Sequence, residues 1–172
     1  VRRYPTHVMV KARGSEPERF DNVFFACHSD QALRLLADAT PEEREVLGAI
    51  RYQRNRAVLH TDSSFMPRRE PLWASWNYVG DSPDSGCVVT YWMNKLQSID
   101  ERYPLFVTLN PASEVAATDI FDTHVFHHPV FDTAAIAAQS ALKQIQGERH
   151  TWFCGAYMRH GFHEDGLISA MA

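Results

Sequence analysis

The stretch from Thr151 to Ala172 constrains this chain more than any other. Thr151-Trp152-Phe153-Cys154 reads as a short buried strand that stops at Gly155. A loop follows, and Gly161 leads into a helix-like pattern starting near Asp165. A strand that ends on glycine lets a bulky ligand approach the backbone, because no Cβ stands in the way. A helix beginning near Asp165-Gly166 turns unbonded N–H groups toward whatever precedes it, which suits an electron-rich oxygen. Strand, glycine and helix in that order are common, so the rest of the chain has to say what they hold.

The first forty residues read as α/β. Thr6–Arg13 alternates weakly around Val8 and Val10, and Gly14-Ser15-Glu16-Pro17 breaks it. The run Phe20–Ala26 is apolar nearly throughout, which suits a strand buried on both faces. Ser29 and Asp30 are good helix starters before the stripe Ala32, Leu33, Leu35 and Leu36. A second helix opens at Thr40-Pro41, with Glu43 in the capping-box place. Strand, turn, strand and helix is the order of a piece of an α/β nucleotide-binding domain.

From Tyr52 to about His128 the pattern changes. Ala57–His60, Trp73–Tyr78, Cys87–Trp92 and Leu105–Leu109 all read as strands, with turn residues between them, notably Gly80–Gly86. Met93–Ile99 reads as a short helix. This is a mostly antiparallel sheet. Asp132–Gln146 is a helix with Ala135, Ile136, Ala138, Leu142 and Ile145 on one face, stopped by Gly147.

Composition excludes several classes. With 45% hydrophobic and 22% charged residues, the 172 residues hold enough apolar material for a core. A net charge of −4 gives no basic footprint for nucleic acid. No apolar run reaches the roughly 18 residues that span a bilayer, so no transmembrane segment is expected. Cys27, Cys87 and Cys154 form no CxxC pair, which fits a reducing compartment and a cytoplasmic location. The chain opens at Val1 rather than Met, and a partial chain is the expectation.

Residues 151–169 resemble the closing motif of flavin-containing amine oxidases: a strand ending in Gly, a glycine-containing loop, then an acidic residue and Gly opening the last helix. The chain is most similar to a bacterial group of amine-oxidase-like FAD-dependent oxidoreductases, described as NAD/FAD-binding proteins. The segments Phe20-Asp21 through Leu33, Asn55–Asp62, Trp73–Tyr78, His128–Asp132 and Thr151–Tyr157 carry the resemblance. It implies the C-terminal part of a two-domain fold, α/β with α+β character. FAD-domain segments at 1–40 and 147–172 would flank a mostly antiparallel substrate domain at 41–146, with helices. It further implies FAD as cofactor and hydride transfer with an unidentified organic substrate, small or lipid-like. By the same resemblance Val1 meets the adenine through its backbone and Gly155 passes the pyrophosphate and ribityl chain. Asp165, Gly166 and Leu167 sit near the pyrimidine edge of the flavin, and His163 stands where the family places an aromatic beside the ring. No GxGxxG is present, so the implied partner is an N-terminal phosphate-binding portion of the same protein. Ala156 stands after Gly155 where many relatives carry an acid.

Other readings stay open. The chain could be a truncated, non-enzymatic relative that acts as an interaction module. His124, His127 and His128, with a second cluster at His160, His163, Glu164 and Asp165, raise a His-rich metalloprotein. Neither cluster has HExxH spacing. Polar residues at a strand edge or loop are the preferred reading of the first, and no metal ligand is nominated. Trp73, Trp76, Tyr78, Tyr91 and Trp92 suit a core more than a substrate pocket.

Overall fold

The structure, a computed structural model, describes residues 1–79 and 88–171. The Gly80–Gly86 turn and Cys87 lie outside the described residues. The chain divides into two compact units, Val1–Gln53 with His128–Ala172, and Arg54–His127. The sequence reading placed its boundaries at 40/41 and 146/147.

Following the chain, unit 1 opens with β1 (Arg2–Tyr4), β2 (His7–Val10) and β3 (Glu18–Phe20), an antiparallel sheet in that order. The apolar run Phe20–Ala26 is therefore not one strand. Asp21-Asn22 breaks it, Phe20 closes the meander, and Val23–Phe25 forms β4 in another sheet. Next come α1 (Ser29–Leu35) and α2 (Pro41–Gly48). The cap of α1 is His28, with the Gln31 side chain accepting the His28 N–H at 3.2 Å. Thr40, Pro41 and Glu43 start α2 as their spacing requires: the Glu43 N–H donates to Thr40 Oγ1 and the Thr40 N–H to Glu43 Oε2.

Unit 2 is built on a five-stranded sheet of β5 (Tyr52–His60), β6 (Trp76–Val79), β7 (Val88–Trp92), β8 (Phe106–Leu109) and β9 (Ile120–Pro129), in the order β6-β7-β8-β5-β9. The pairs β6–β7, β7–β8 and β8–β5 are antiparallel. The short helix α3 (Met93–Gln97) follows β7. The sequence reading assigned no strand to β9 and took its histidines as strand-edge or loop residues; its side chains are mostly exposed and show no alternation of burial. It is an edge strand and carries His124, His127 and His128. Across the sheet interior runs a buried polar line: His60 Nε2 is 2.8 Å from Thr108 Oγ1, which is 2.9 Å from Thr90 Oγ1.

The chain then returns to unit 1 with α4 (Thr133–Ala141), capped by Asp132, then β10 (Thr151–Phe153) and α5 (His163–Met171). Strand β10 lies parallel to β4, pairing Trp152 with Phe24 and Phe153 with Phe25. The core of unit 1 gathers Phe25, Ala32, Leu36, Leu47, Ile50, Ala135, Ala138, Leu142, Phe153 and Tyr157. Beside it Arg3, 4% exposed, pairs with Glu43, 2% exposed, and with Asp38. Burial alone would raise Glu43, but the hydrogen bonds from Arg3 and the Thr40 N–H, with the charges of Arg3 and Arg149, together outweigh it and hold the carboxyl below its usual range. The whole is mixed α/β with mostly antiparallel sheets. Among the described residues no helix is long and apolar enough to cross a membrane.

Candidate functional site

The nominated residues of the final segment meet where β10 ends and α5 begins. Gly155 leaves β10 with φ +157° and ψ +161°, a conformation that belongs to glycine. A Cβ on it would stand 2.6 Å from Tyr157 Cε1, so the chain itself requires glycine there. The Gly155 N–H donates to Ser169 Oγ at 2.8 Å, and the Ser169 hydroxyl donates to the Gly166 carbonyl at 2.7 Å. Ser169 thereby pins the strand end to the last helix.

The helix starts two residues earlier than its sequence pattern suggests, at His163. Asp165 is the reason. It is 6% exposed, and its Oδ2 accepts the N–H groups of His160 (3.2 Å) and Phe162 (3.0 Å), folding the preceding loop onto the first turn. Arg159 Nε lies 3.4 Å from Asp165 Oδ1. Gln139 of α4 holds the same loop by donating to the carbonyls of Tyr157 (3.0 Å) and Arg159 (2.6 Å). The Asp165 and Gly166 N–H groups both turn to the Phe162 carbonyl. The first-turn amides that bond to no described residue are those of His163 and Glu164.

Gly166 differs from Gly155. A Cβ on it would meet only Ala156 N, at an ordinary 3.6 Å. The chain leaves room there and has no steric need for glycine. Leu167 and His163 are exposed on the same helix. Val1 lies elsewhere in unit 1: its N donates to the Leu35 carbonyl at 2.7 Å and its carbonyl accepts the Ala37 N–H at 2.9 Å.

Sequence reasoning gave no role to Ser169 or Tyr157. Tyr157 is 3% exposed and its hydroxyl has no hydrogen-bond partner among the described residues. Burial, with Tyr52, Cys154 and Cys27 nearby, pushes that hydroxyl far up, so it stays protonated. Burial likewise raises the thiols of Cys27 and Cys154, which makes both poor nucleophiles. The sequence signal was an aromatic two residues after a strand-ending glycine. A cleft of about 430 Å³ lined by Thr40, Glu42, Glu43, Gln144, Glu148 and Arg149 contains none of the nominated residues. Among the described residues no three His, Cys, Asp or Glu side chains are grouped so as to hold a metal ion.

No family model matches the chain, and no curated protein matches it either. Solved structures do. The chain is similar to the CLA-producing fatty acid isomerase from P. acnes, with a TM-score of 0.65 at 16% identity, covering 97% of this chain and 44% of that one. It is also similar to the "Putative protoporphyrinogen oxidase" from Exiguobacterium sp. 255-15, with a TM-score of 0.64 at 12% identity, covering 99% of this chain and 44% of that one. The chain thus spans less than half the length of the solved structures it matches, and at these identities the likeness is one of fold.

Proposed function

We propose that this chain supplies the flavin-ring side of a FAD-dependent oxidoreductase of the amine-oxidase-like kind, with unit 2 as part of its substrate domain. The observation that carries the reading is Gly166. A glycine in a helix costs about 1 kcal/mol against alanine, yet the chain has room for a Cβ there. In this reading the flavin occupies that space.

The first turn of α5 favours a ring edge over a phosphate as the occupant. Glu164 and Asp165 put two carboxyl groups in that turn, which repel a dianion. The unbonded N–H groups of His163 and Glu164 suit neutral or weakly charged acceptor atoms such as those of a pyrimidine edge. In this reading Gly155, Asp165, Gly166 and Leu167 line the cofactor. Asp165 acts through the loop it folds, and Gly155 lets the backbone turn away from β10. Val1 takes the adenine end, and His163 stands beside the ring to shape the substrate site or pass a proton. Bound flavin supplies the hydride-accepting N5, and the chain orients the ring and excludes water. The name of the P. acnes enzyme favours a lipid-like substrate within the small-molecule class.

The purified natural gene product is expected to absorb in the blue as a flavoprotein. Gly166→Ala should raise the melting stability of flavin-free protein by up to about 1 kcal/mol while lowering its flavin content. Gly166→Val should lower that content further. Unchanged flavin content in both variants would refute the placement. A colourless natural product that takes up no added FAD would favour the non-enzymatic interaction module.

A further inference from the structure

A row of polar side chains lies buried on one face of the unit 2 sheet. The strand register sets Asn77 of β6 beside Thr90 of β7, and Thr90 beside Thr108 of β8. His60 of β5 completes the row through its 2.8 Å contact with Thr108. Asn77 is 5% exposed and the other three are fully buried. The segment Thr61–Met66 covers both ends of the row. Its Phe65 ring meets His60 edge-on at 5.2 Å, and its Met66 Sδ accepts a hydrogen bond from Asn77 Nδ2 at 3.5 Å. We propose that protonation of His60 releases this segment, which makes it an acid-opened cover on the polar row. The inference rests on the packing of unit 2 and not on the flavin reading.

Hydrogen-bond direction decides what an added proton does. The Asp62 N–H donates to His60 Nδ1 at 3.1 Å, so that nitrogen is an acceptor and the ring proton sits on Nε2, facing Thr108. Acid can add only at Nδ1. The imidazolium then sets N–H against N–H, and a buried charge is left beside a broken hydrogen bond. One side has to move. His60 is fixed in β5, where it pairs with Phe106 of β8 and packs against that ring. Thr61–Met66 is tied down by less: the Thr61 N–H on the Asp119 carbonyl at 3.1 Å, and a single 3-10 turn, Ser63–Phe65, in which the Met66 N–H donates to the Ser63 carbonyl at 3.0 Å.

Asp62 supplies the alternative partner. Its Oδ1 accepts the Ser64 N–H at 2.9 Å and caps that turn. Swung to the imidazolium, the same carboxylate takes the new Nδ1 proton in a charged pair and leaves the turn uncapped. Phe65 then loses its turn and its seat on the His60 ring together. Among the described residues, Asp62 and Asp119 are the charged groups that face His60. Its neighbours from β7, β8 and the turn are Thr90, Thr108, Phe106 and Phe65, all neutral. Burial disfavours the charged ring while the cover is closed. The closed state therefore dominates at neutral pH and weakens below about pH 6.5, the ordinary value of an exposed imidazole.

The test follows backbone amide exchange in the natural gene product at low urea concentrations. Rates are expressed as protection relative to unstructured chain, so that the intrinsic effect of pH cancels. Between pH 8 and pH 5 the Ser64 and Met66 amides should lose more than about thirtyfold in protection, since each pH unit below 6.5 adds up to about tenfold. Their exchange should hardly respond to urea, because a six-residue opening exposes little surface. Amides of β8 should stay better protected and should respond to urea as unfolding of the whole unit does. His60→Gln should abolish the pH-dependent loss at Ser64 and Met66. Asp62→Asn, which keeps an oxygen for the Ser64 N–H but offers the ring no charge, should shrink it. Loop amides as protected and as urea-sensitive as those of β8 overturn the proposal. So does a loss that persists at full size in either variant. Where His60→Gln fails to fold, Asp62→Asn decides by the same comparison. No readout involves flavin, so the cover and the cofactor reading can fail separately.

Discussion

Gly155 and Gly166 lie eleven residues apart in one segment and answer to different forces. At Gly155 a β-carbon would meet the Tyr157 ring at 2.6 Å and would also have to adopt φ +157°. Gly155→Ala should therefore destabilise unit 1 by about 2–4 kcal/mol, read as a lower denaturation midpoint with or without flavin. If Gly155→Ala melts like the parent, the tight turn against Tyr157 is wrong. At Gly166 the same change should stabilise the chain, so the two alanine variants should move the melt in opposite directions. The sequence presents both as one glycine motif. Only the positions of Tyr157 and Ala156 separate them.

At the scale of elements, the polar line across β5, β8 and β7 ties the stability of unit 2 to pH. His60 is fully buried, and its Nδ1 accepts the Asp62 N–H at 3.1 Å, so the proton sits on Nε2 and is donated to Thr108. Burial depresses its pKa, partly offset by Asp62 and Asp119. The folded state thus prefers the neutral ring, while the unfolded chain takes up a proton near pH 6.5. The stabilisation is complete above that pH and is lost as pH falls toward the depressed folded value. Thermal melts between pH 8 and pH 5 should fall over that window, and His60→Gln should flatten the dependence. A parent protein with no slope between pH 6.5 and 5 would show that His60 titrates normally. Elsewhere element reading from sequence succeeded where local chemistry rules. The Thr40-Pro41-Glu43 start of α2 and the Asp132 cap of α4 are within-turn contacts that any context preserves. It failed at β9, whose side chains are mostly exposed, and at Phe20–Ala26, where hydrophobicity hides a change of sheet.

At the scale of the whole molecule, unit 1 is assembled from both ends of the chain. Strand β10 is the sole strand partner of β4 among the described residues, and Phe153 and Tyr157 belong to the core that α1, α2 and α4 complete. Ending the chain at Gln146 should unfold unit 1 as a block, because it removes a strand and two core aromatics together. Unit 2 lies in one stretch, Arg54–His127, and should keep its dispersed NMR signals in that truncation. Retention of native signals from β4 and α1 in the truncated chain would show that unit 1 does not depend on its C-terminal segment.

The sequence by itself determined the mixed α/β class, the starts of α2 and α4, the mostly antiparallel middle and the strand–glycine–helix order of the last twenty-two residues. These depend on neighbours a few positions apart, where periodicity and capping act. The tertiary structure alone decided that β4 and β10 pair in parallel across more than a hundred residues. It also decided that Asp165 folds the loop before its own helix, moving the unbonded amides to His163 and Glu164. Strand pairing and side-chain destination are set by what packs from a distance, and residue order does not encode that distance. So Thr151–Ala172 gave a strand–glycine–helix shape, and the packing around Gly166 showed where in that shape there is room.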